Sequence, residues 1–300
     1  DKIAEMGFSN YNYLEKSKEN EPTRFKEMLF DNVDSKNHPR IKAALRDSLT
    51  CYLEPRISVI HGLSGVGKST PLTILVRVLG VYAMSVELDQ FLDDHFIRAK
   101  TKGKTLVVLQ DLPQTWKDFA KIKTSTGEHE KTERGFRQDS TQFDNKMKII
   151  ATGNYLTKIP EKEKDPMFKR RLSLIMNTKK ESYPENPKLI NEIVEIEGEQ
   201  MVSWILNFSE EECKYENAKI IQEEWERLAS PEIEYLNKYE ISKLGSDMSV
   251  GELVADYTKN NSVVIDHKQM KKSLDELGFT LKGNTITNID LKPKPTLPNY

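Results

Sequence analysis

An α/β fold, a parallel sheet with helices on both faces, is what this 300-residue sequence predicts, and three observations carry that expectation. Short, almost wholly apolar runs stand at residues 57–60, 105–109 and 148–152, and strands covered on both faces read in this continuous way. Stretches of helical spacing separate them, the alternation that builds helix-flanked parallel sheets. The first run leads directly into a glycine-rich loop, and a helical stretch from 71 to 79, stopped by Gly80, follows the loop.

Taken in order, residues 1–50 read as an N-terminal helical segment, with Phe25, Met28, Leu29, Ile41, Leu45 and Leu49 at helical spacing. Residues 51–180 hold the α/β core. Residues 181–240 form an acidic helical region. Ser209 and Glu212 make a capping box there, Ala218, Ile221, Trp225 and Leu228 share one helical face, and Ser230-Pro231 ends it. In residues 241–300, Ser249 with Glu252 caps one helix, and Asp266 with Gln269 caps a second whose apolar face is Met270, Leu274 and Leu277. Gly278 stops that helix, and two strands turning at Lys282-Gly283-Asn284 close the chain, an order that fits a winged-helix module.

Composition narrows the class. Charged residues make up 31% of the chain, yet Lys+Arg 45 and Asp+Glu 47 nearly cancel to a formal net charge of −2, which excludes a histone-like basic protein and an acidic solvating tail. No apolar run reaches the ~18 residues of a membrane helix, and no signal-peptide pattern opens the chain. Cys51 and Cys213 stand far apart, giving neither a disulfide framework nor a metal motif, so a reducing interior, cytoplasm or host cell, is expected. The start at Asp1 reads as a fragment or processed product. Charge is unevenly spread: residues 117–171 carry five more basic than acidic groups, and residues 181–240 eleven more acidic than basic. The acidic stretch is expected to form an outward or intersubunit face.

The loop Gly62-Leu63-Ser64-Gly65-Val66-Gly67-Lys68-Ser69-Thr70 satisfies G-x-x-x-x-G-K-[ST] in the required context, strand before and helix after. Its backbone N–H groups and the helix N-terminus suit phosphate oxygens. Gly62, Ser64, Gly65, Val66, Gly67, Lys68, Ser69 and Thr70 are therefore the candidate nucleotide cradle. Lys68 would reach the β- and γ-phosphates, and Ser69 would ligate Mg²⁺. Asp111, ending the apolar run 106–109, is the expected metal partner. Its neighbour is Gln110 rather than a second acid, which leaves the activation of water either to Asp111 or to a carboxylate elsewhere. Asn154 ends the 148–152 run and could orient that water, or be a plain turn residue. Arg170 and Arg171 could stabilise phosphate charge, or be a surface basic cluster.

With these pieces in order the chain resembles the superfamily 3 helicases of the AAA+ ATPases, in particular the poxvirus D5-like and phage primase–helicase branch found also in archaeal plasmid replication proteins. The resemblance runs from about residue 45 to 174 and rests on the P-loop, Asp111, the 148–154 strand, the stretch Ile122-Lys123-Thr124-Ser125-Thr126-Gly127-Glu128 and the signature Phe168-Lys169-Arg170-Arg171-Leu172. It implies an ATP- and Mg²⁺-dependent AAA+ core in a homo-oligomeric ring, a hexamer, translocating 3′→5′ on single-stranded DNA. It also implies a channel hairpin after Glu128 and Arg170 or Arg171 as a finger reaching a neighbour's nucleotide; near the hairpin tip Lys131, Arg134 and Arg137 suit phosphates and Phe136 suits stacking or hairpin packing, the alternative being a solvated hairpin. Relatives often carry a primase upstream and a winged helix downstream; Lys268, Lys271 and Lys272 share one flank of the second helix there, opposite Met270 and Leu274, either to meet duplex DNA or as a plain solvated face. Two competing readings remain at this level: an origin-binding initiator that remodels DNA without processive unwinding, and a small-molecule P-loop kinase, which would have no use for the arginine pair.

Overall fold

The computed structural model describes residues 14, 20–50, 56–116, 118–127, 130–134, 140–144, 147–178, 186, 188–236, 239–261 and 267–291. The chain divides into two compact units, Asp1–Trp225 and Glu226–Tyr300.

In the first unit five strands, β1 (Ile57–His61), β2 (Ala83–Glu87), β3 (Leu106–Gln110), β6 (Lys148–Gly153) and β7 (Leu172–Met176), lie side by side in the order β2-β3-β6-β1-β7. Every neighbouring pair is parallel. The three apolar runs become β1, β3 and β6, the wholly buried centre of the sheet. β2 does not read as an apolar run because it is an edge strand with Ser85 and Glu87 exposed on one face. The remaining strands of this unit, β4 (Glu130–Arg134) and β5 (Ser140–Asp144), form a separate antiparallel hairpin.

Successive side chains on a strand point to opposite faces. Ile60, Val108, Ile150 and Ile175 therefore share one face, which packs against α1 (Thr23–Phe30), α2 (His38–Thr50), α3 (Ser69–Leu79) and α8 (Leu189–Leu206). Val59, Val107, Ile149 and Leu174 bury the other face. Between these helices in sequence come α4 (Leu88–Asp93), α5 (His95–Ala99), α6 (Phe119–Gly127) and α7 (Glu161–Arg170), and α9 (Ala218–Ala229) comes after α8. Trp225 on α9 is fully buried, sits edge-on to Trp116 and Phe168, and donates its indole N–H to the Thr157 carbonyl at 2.9 Å.

Two polar devices tie the helices down. α1 begins after Pro22, which has no side chain able to cap it, so Glu197 of α8 does so from a distance. Its two oxygens accept the Arg24 and Phe25 N–H groups, each at 3.0 Å, which accounts for a glutamate only 5% exposed. The basic side of α2 meets the acidic stretch directly. Arg40, 2% exposed, pairs with Glu224 at 2.8 Å and Glu216 at 3.2 Å, and Lys42 pairs with Glu212 at 2.9 Å. Part of the acidic surplus is thus neutralised by cations of the first unit. Ser209 and Glu212 do exchange backbone-to-side-chain bonds at 3.0 and 3.3 Å, but the box closes a turn, and the helix starts only at Ala218.

The second unit contains α10 (Pro231–Leu236), β8 (Tyr239–Ser249), α11 (Val250–Asn261), α12 (His267–Glu276), β9 (Leu281–Lys282) and β10 (Thr285–Leu291). The strands form a three-stranded sheet in the order β8-β10-β9, antiparallel throughout. The capping box of Ser249 and Glu252 forms, with bonds of 2.8 and 3.1 Å. Tyr257, Met270, Leu274 and Ile286 are at the centre of the unit's own core. Among the described residues no helix is long and apolar enough to cross a membrane.

Candidate functional site

All strands of the main sheet point the same way, so their carboxyl ends collect at one pole. The chain leaves β1 toward β2 on one side and leaves β6 toward β7 on the other. The crevice where neighbouring connections part in opposite directions is where open α/β sheets receive ligands. Here it lies between β1 and β6, and the glycine-rich loop fills it.

Gly62 leaves β1 tightly bound on both sides. Its N–H reaches the Gly153 carbonyl at 3.3 Å, while the Asn177 N–H bonds the His61 carbonyl at 2.8 Å. A Cβ on Gly62 would stand 2.9 Å from both the Asn177 Cβ and carbonyl oxygen, so only glycine fits. Gly65 and Gly67 adopt φ of 76° and 82°, the left-handed region that turns successive N–H groups inward. Val66 between them is 1% exposed and pins the loop, leaving Ser64 and Gly65 exposed at its crown. Ser69 and Thr70, half-buried, open α3.

Lys68 is the centre of the arrangement. Its side chain, 7% exposed, bends back so that Nζ donates to the Leu63 carbonyl and to Asn154 Oδ1, the latter at 2.7 Å. Burial pushes the ammonium's pKa down, and the Asp111 carboxylate partly restores it. Asp111 itself sits at φ 46°, rare for a residue with a side chain. Thr152, fully buried on β6, holds that bend: its Oγ1 accepts the Asp111 N–H at 3.3 Å and its carbonyl the Leu112 N–H at 2.8 Å. Lys68, Ser69, Asp111 and Asn154 are therefore brought to one crevice.

Three further residues at this pole escaped the sequence reading. Thr152 sets Asp111, as described. His61, the last residue of β1, is held neutral: burial first, then the Lys68 charge, lowers its pKa to about 4. Glu87 ends β2 in register with Gln110, an exposed carboxylate one strand beyond Asp111. None belongs to a local motif, and strand-end position in the folded sheet is the signal that identifies them.

Arg170 and Arg171 lie at the other pole. β7 runs parallel to β1 with Leu172 opposite Ile57, so the pair precedes the sheet while the loop comes after it. Five strand residues separate the two ends, about 16 Å, and the arginines lie away from their own chain's loop. Neither guanidinium has an ion pair among the described residues. Burial and the adjacent Arg170 charge lower the pKa of Arg171.

Lys131 and Arg134 lie on β4, in register with Phe143 and Ser140. Phe136 and Arg137 lie outside the described residues. β4 runs beside α5, where the His95 and Phe96 ring centroids lie 4.2 Å apart, tilted by 40°, and Phe96 is 37% exposed. In the second unit Lys268 and Lys272 are exposed and Lys271 half-buried on α12, while Met270 and Leu274 bury its other side.

A protein-family model described as a family of unknown function (DUF5906) matches residues 60–171, from the end of β1 to the arginine pair. No curated protein matches. Among solved structures the chain is similar to the A form apo structure of the NrS-1 C terminal region, at 16% identity and a TM-score of 0.53, covering 88% of this chain and 63% of that one. A second A form apo structure of that region gives 14% identity, a TM-score of 0.54 and coverage of 92% and 76%. A further apo structure gives 14%, 0.54, 94% and 77%. The chain thus spans just under two thirds of the first of these, and at such identities the likeness is one of fold.

Proposed function

We propose that this chain is the ATPase and DNA-engaging part of a ring-forming replicative helicase of the superfamily 3 type, working inside the cell. The observation that carries the reading is the Lys68–Asn154 bond across the crevice between β1 and β6, with Asp111 beside it. It joins the phosphate-loop lysine to a polar side chain on the adjacent strand end, where a γ-phosphate would lie between them.

ATP fits this crevice: the left-handed Gly65 and Gly67 form an anion cradle, and a partly desolvated Lys68 gains from a polyanion. Mg²⁺ fits as well, since a hydroxyl from Ser69 and a carboxylate from Asp111 are hard oxygen donors that leave positions for phosphate oxygens. When bound, the ion would neutralise charge on the phosphates. The chain's own groups do the rest: loop N–H groups hold phosphates, Lys68 meets the β/γ oxygens, and Asn154 orients water. Arg170 and Arg171, without ion pairs among the described residues and remote from their own loop, support delivery to a neighbour's nucleotide in a homo-oligomer, a hexamer by resemblance.

The β4–β5 hairpin supports a strand-tracking role, with Lys131, Arg134 and Arg137 on phosphates and Phe136 stacking. The helix, strand, helix, helix, hairpin order of the second unit supports a winged helix, with Lys268, Lys271 and Lys272 on a duplex. The exposed flank of α12 also favours a second reading, an origin-binding initiator that remodels duplex DNA.

Hydrolysis and strand displacement distinguish them. ATP turnover stimulated by single strands, with displacement of an annealed strand, is expected, and Lys68→Ala abolishes both. Turnover retained by Lys68→Ala would remove the nucleotide assignment; stimulation by duplex alone, without displacement, would favour the initiator.

A further inference from the structure

We propose that Arg56 is a positioning residue for the arginine pair, clamping the backbone from which Arg170 and Arg171 project. The inference rests on the reading that this pair completes a neighbouring subunit's nucleotide site.

α7 ends at Arg170, and the last carbonyls of a helix have no partner within it. Arg56 supplies one. Its Nη2 donates to the Lys169 carbonyl at 3.0 Å and its Nη1 to the Leu172 carbonyl at 3.2 Å, one guanidinium bridging both sides of the pair. The next residue, Ile57, donates its N–H to the Arg171 carbonyl at 2.7 Å. Three of the four carbonyls from Lys169 to Leu172 are thus held by Arg56 and Ile57. A cation at a helix C-terminus is favoured by the dipole, and only a planar fork of donors spans two carbonyls in this way.

Arg56 is itself braced. Its guanidinium carbon lies 5.5 Å from the Tyr215 ring centroid. The Tyr215 hydroxyl donates to Asp47 Oδ2 at 2.6 Å and accepts from Lys148 Nζ at 2.7 Å. Lys148 and Asp47, 3.6 Å apart with side chains 2% and 9% exposed, anchor the tyrosine in the interior. The support runs from a buried ion pair through an aromatic ring to the clamp, and the two arginine side chains stay without ion pairs among the described residues. Arg56 also immediately precedes β1, so the strand that opens into the chain's own phosphate loop carries the clamp at its other end.

The test uses whole chains mixed into common assemblies. Donor subunits carry Lys68→Ala, which keeps their arginines; acceptor subunits carry Arg170→Ala with Arg171→Ala. Hydrolysis restored on mixing reports arginines acting across the contact. Adding Arg56→Ala to the donor is expected to cut the restored kcat by about tenfold while KM for ATP moves less than about twofold, as misplacement of a transition-state group does. The same substitution on the acceptor, whose arginines are already gone, is expected to change the restored rate by less than about twofold. Arg56→Lys on the donor, which keeps charge but loses the fork, is expected to cost about threefold, and it replaces the alanine variant if that fails to fold. Equal losses from both positions, or none from the donor, would overturn the proposal. No restoration in mixtures with Arg56 intact would remove the reading beneath it, and the clamp's role with it.

Discussion

His61 shows how burial at the site reaches the stability of the whole chain. In the unfolded chain its imidazole titrates at the ordinary 6.5; in the folded chain burial and the Lys68 ammonium bring it to about 4, against a smaller opposing effect of its bond to the Gly153 carbonyl. Between those two values the unfolded state binds a proton that the folded state refuses. The contribution is therefore complete above pH 6.5 and is lost as pH falls toward 4, by about 3 kcal/mol at most. Thermal unfolding temperatures measured from about pH 7 to about pH 4.5 are expected to fall, and those of His61→Gln to fall less steeply; parallel curves would show that His61 is not responsible. At this scale the sequence was legible where chemistry is local. Gly62 to Ser69 can be read by spacing, because the left-handed glycines and the helix start that shape this turn all lie within one loop. The left-handed bend at Asp111 cannot be read, because Thr152 on another strand sets it, and the Lys68–Asn154 bond joins residues 86 positions apart.

Among the elements, the hairpin of β4 and β5 carries the sharpest expectation. If it tracks a single strand, Arg134→Glu with Arg137→Glu weakens single-strand binding and flattens its dependence on log salt by about 0.7 for each phosphate no longer neutralised. Hydrolysis without DNA is expected to stay within about twofold of wild type, since the crevice of Lys68, Asp111 and Asn154 is built from other residues. Unchanged affinity would place the strand elsewhere, for instance at His95 and Phe96 beside β4. The main-sheet strands legible in the sequence were ones buried on both faces. β1, β3 and β6 are buried on both faces and read as apolar runs, whereas β2 at the sheet edge and the polar β8 do not. The box at Ser209 and Glu212 shows the converse: its local bonds form as expected, yet no helix continues from it, since a cap fixes only a first turn and packing decides whether further turns form.

For the whole molecule, the division after Trp225 separates two cores with different tasks on the proposed reading. A chain shortened to end at residue 230 keeps Trp225, the crevice and the hairpin. It is expected to retain DNA-free hydrolysis within about twofold and to lose duplex affinity by about tenfold, through Lys268, Lys271 and Lys272. Duplex affinity unaffected by the truncation would exclude α12 as the contact. The near-zero total charge concealed this organisation. Along the chain the basic surplus falls in residues 117–171, while Glu212, Glu216 and Glu224 are paired with Lys42 and Arg40. Segment sums locate charge along the chain, but only packing tells which charges remain for a ligand.

A parallel sheet has a head and a tail, and this one carries its glycine-rich loop at one and its arginine pair at the other. On the proposed reading, subunits joined head to tail in an open row always leave one terminal loop without arginines and one terminal pair without a nucleotide. A row of n subunits then has n − 1 complete sites, and closing the circle supplies the last one. Turnover per subunit would therefore rise with assembly size and level off only on closure, making ATP hydrolysis itself a gauge of whether the DNA has been enclosed.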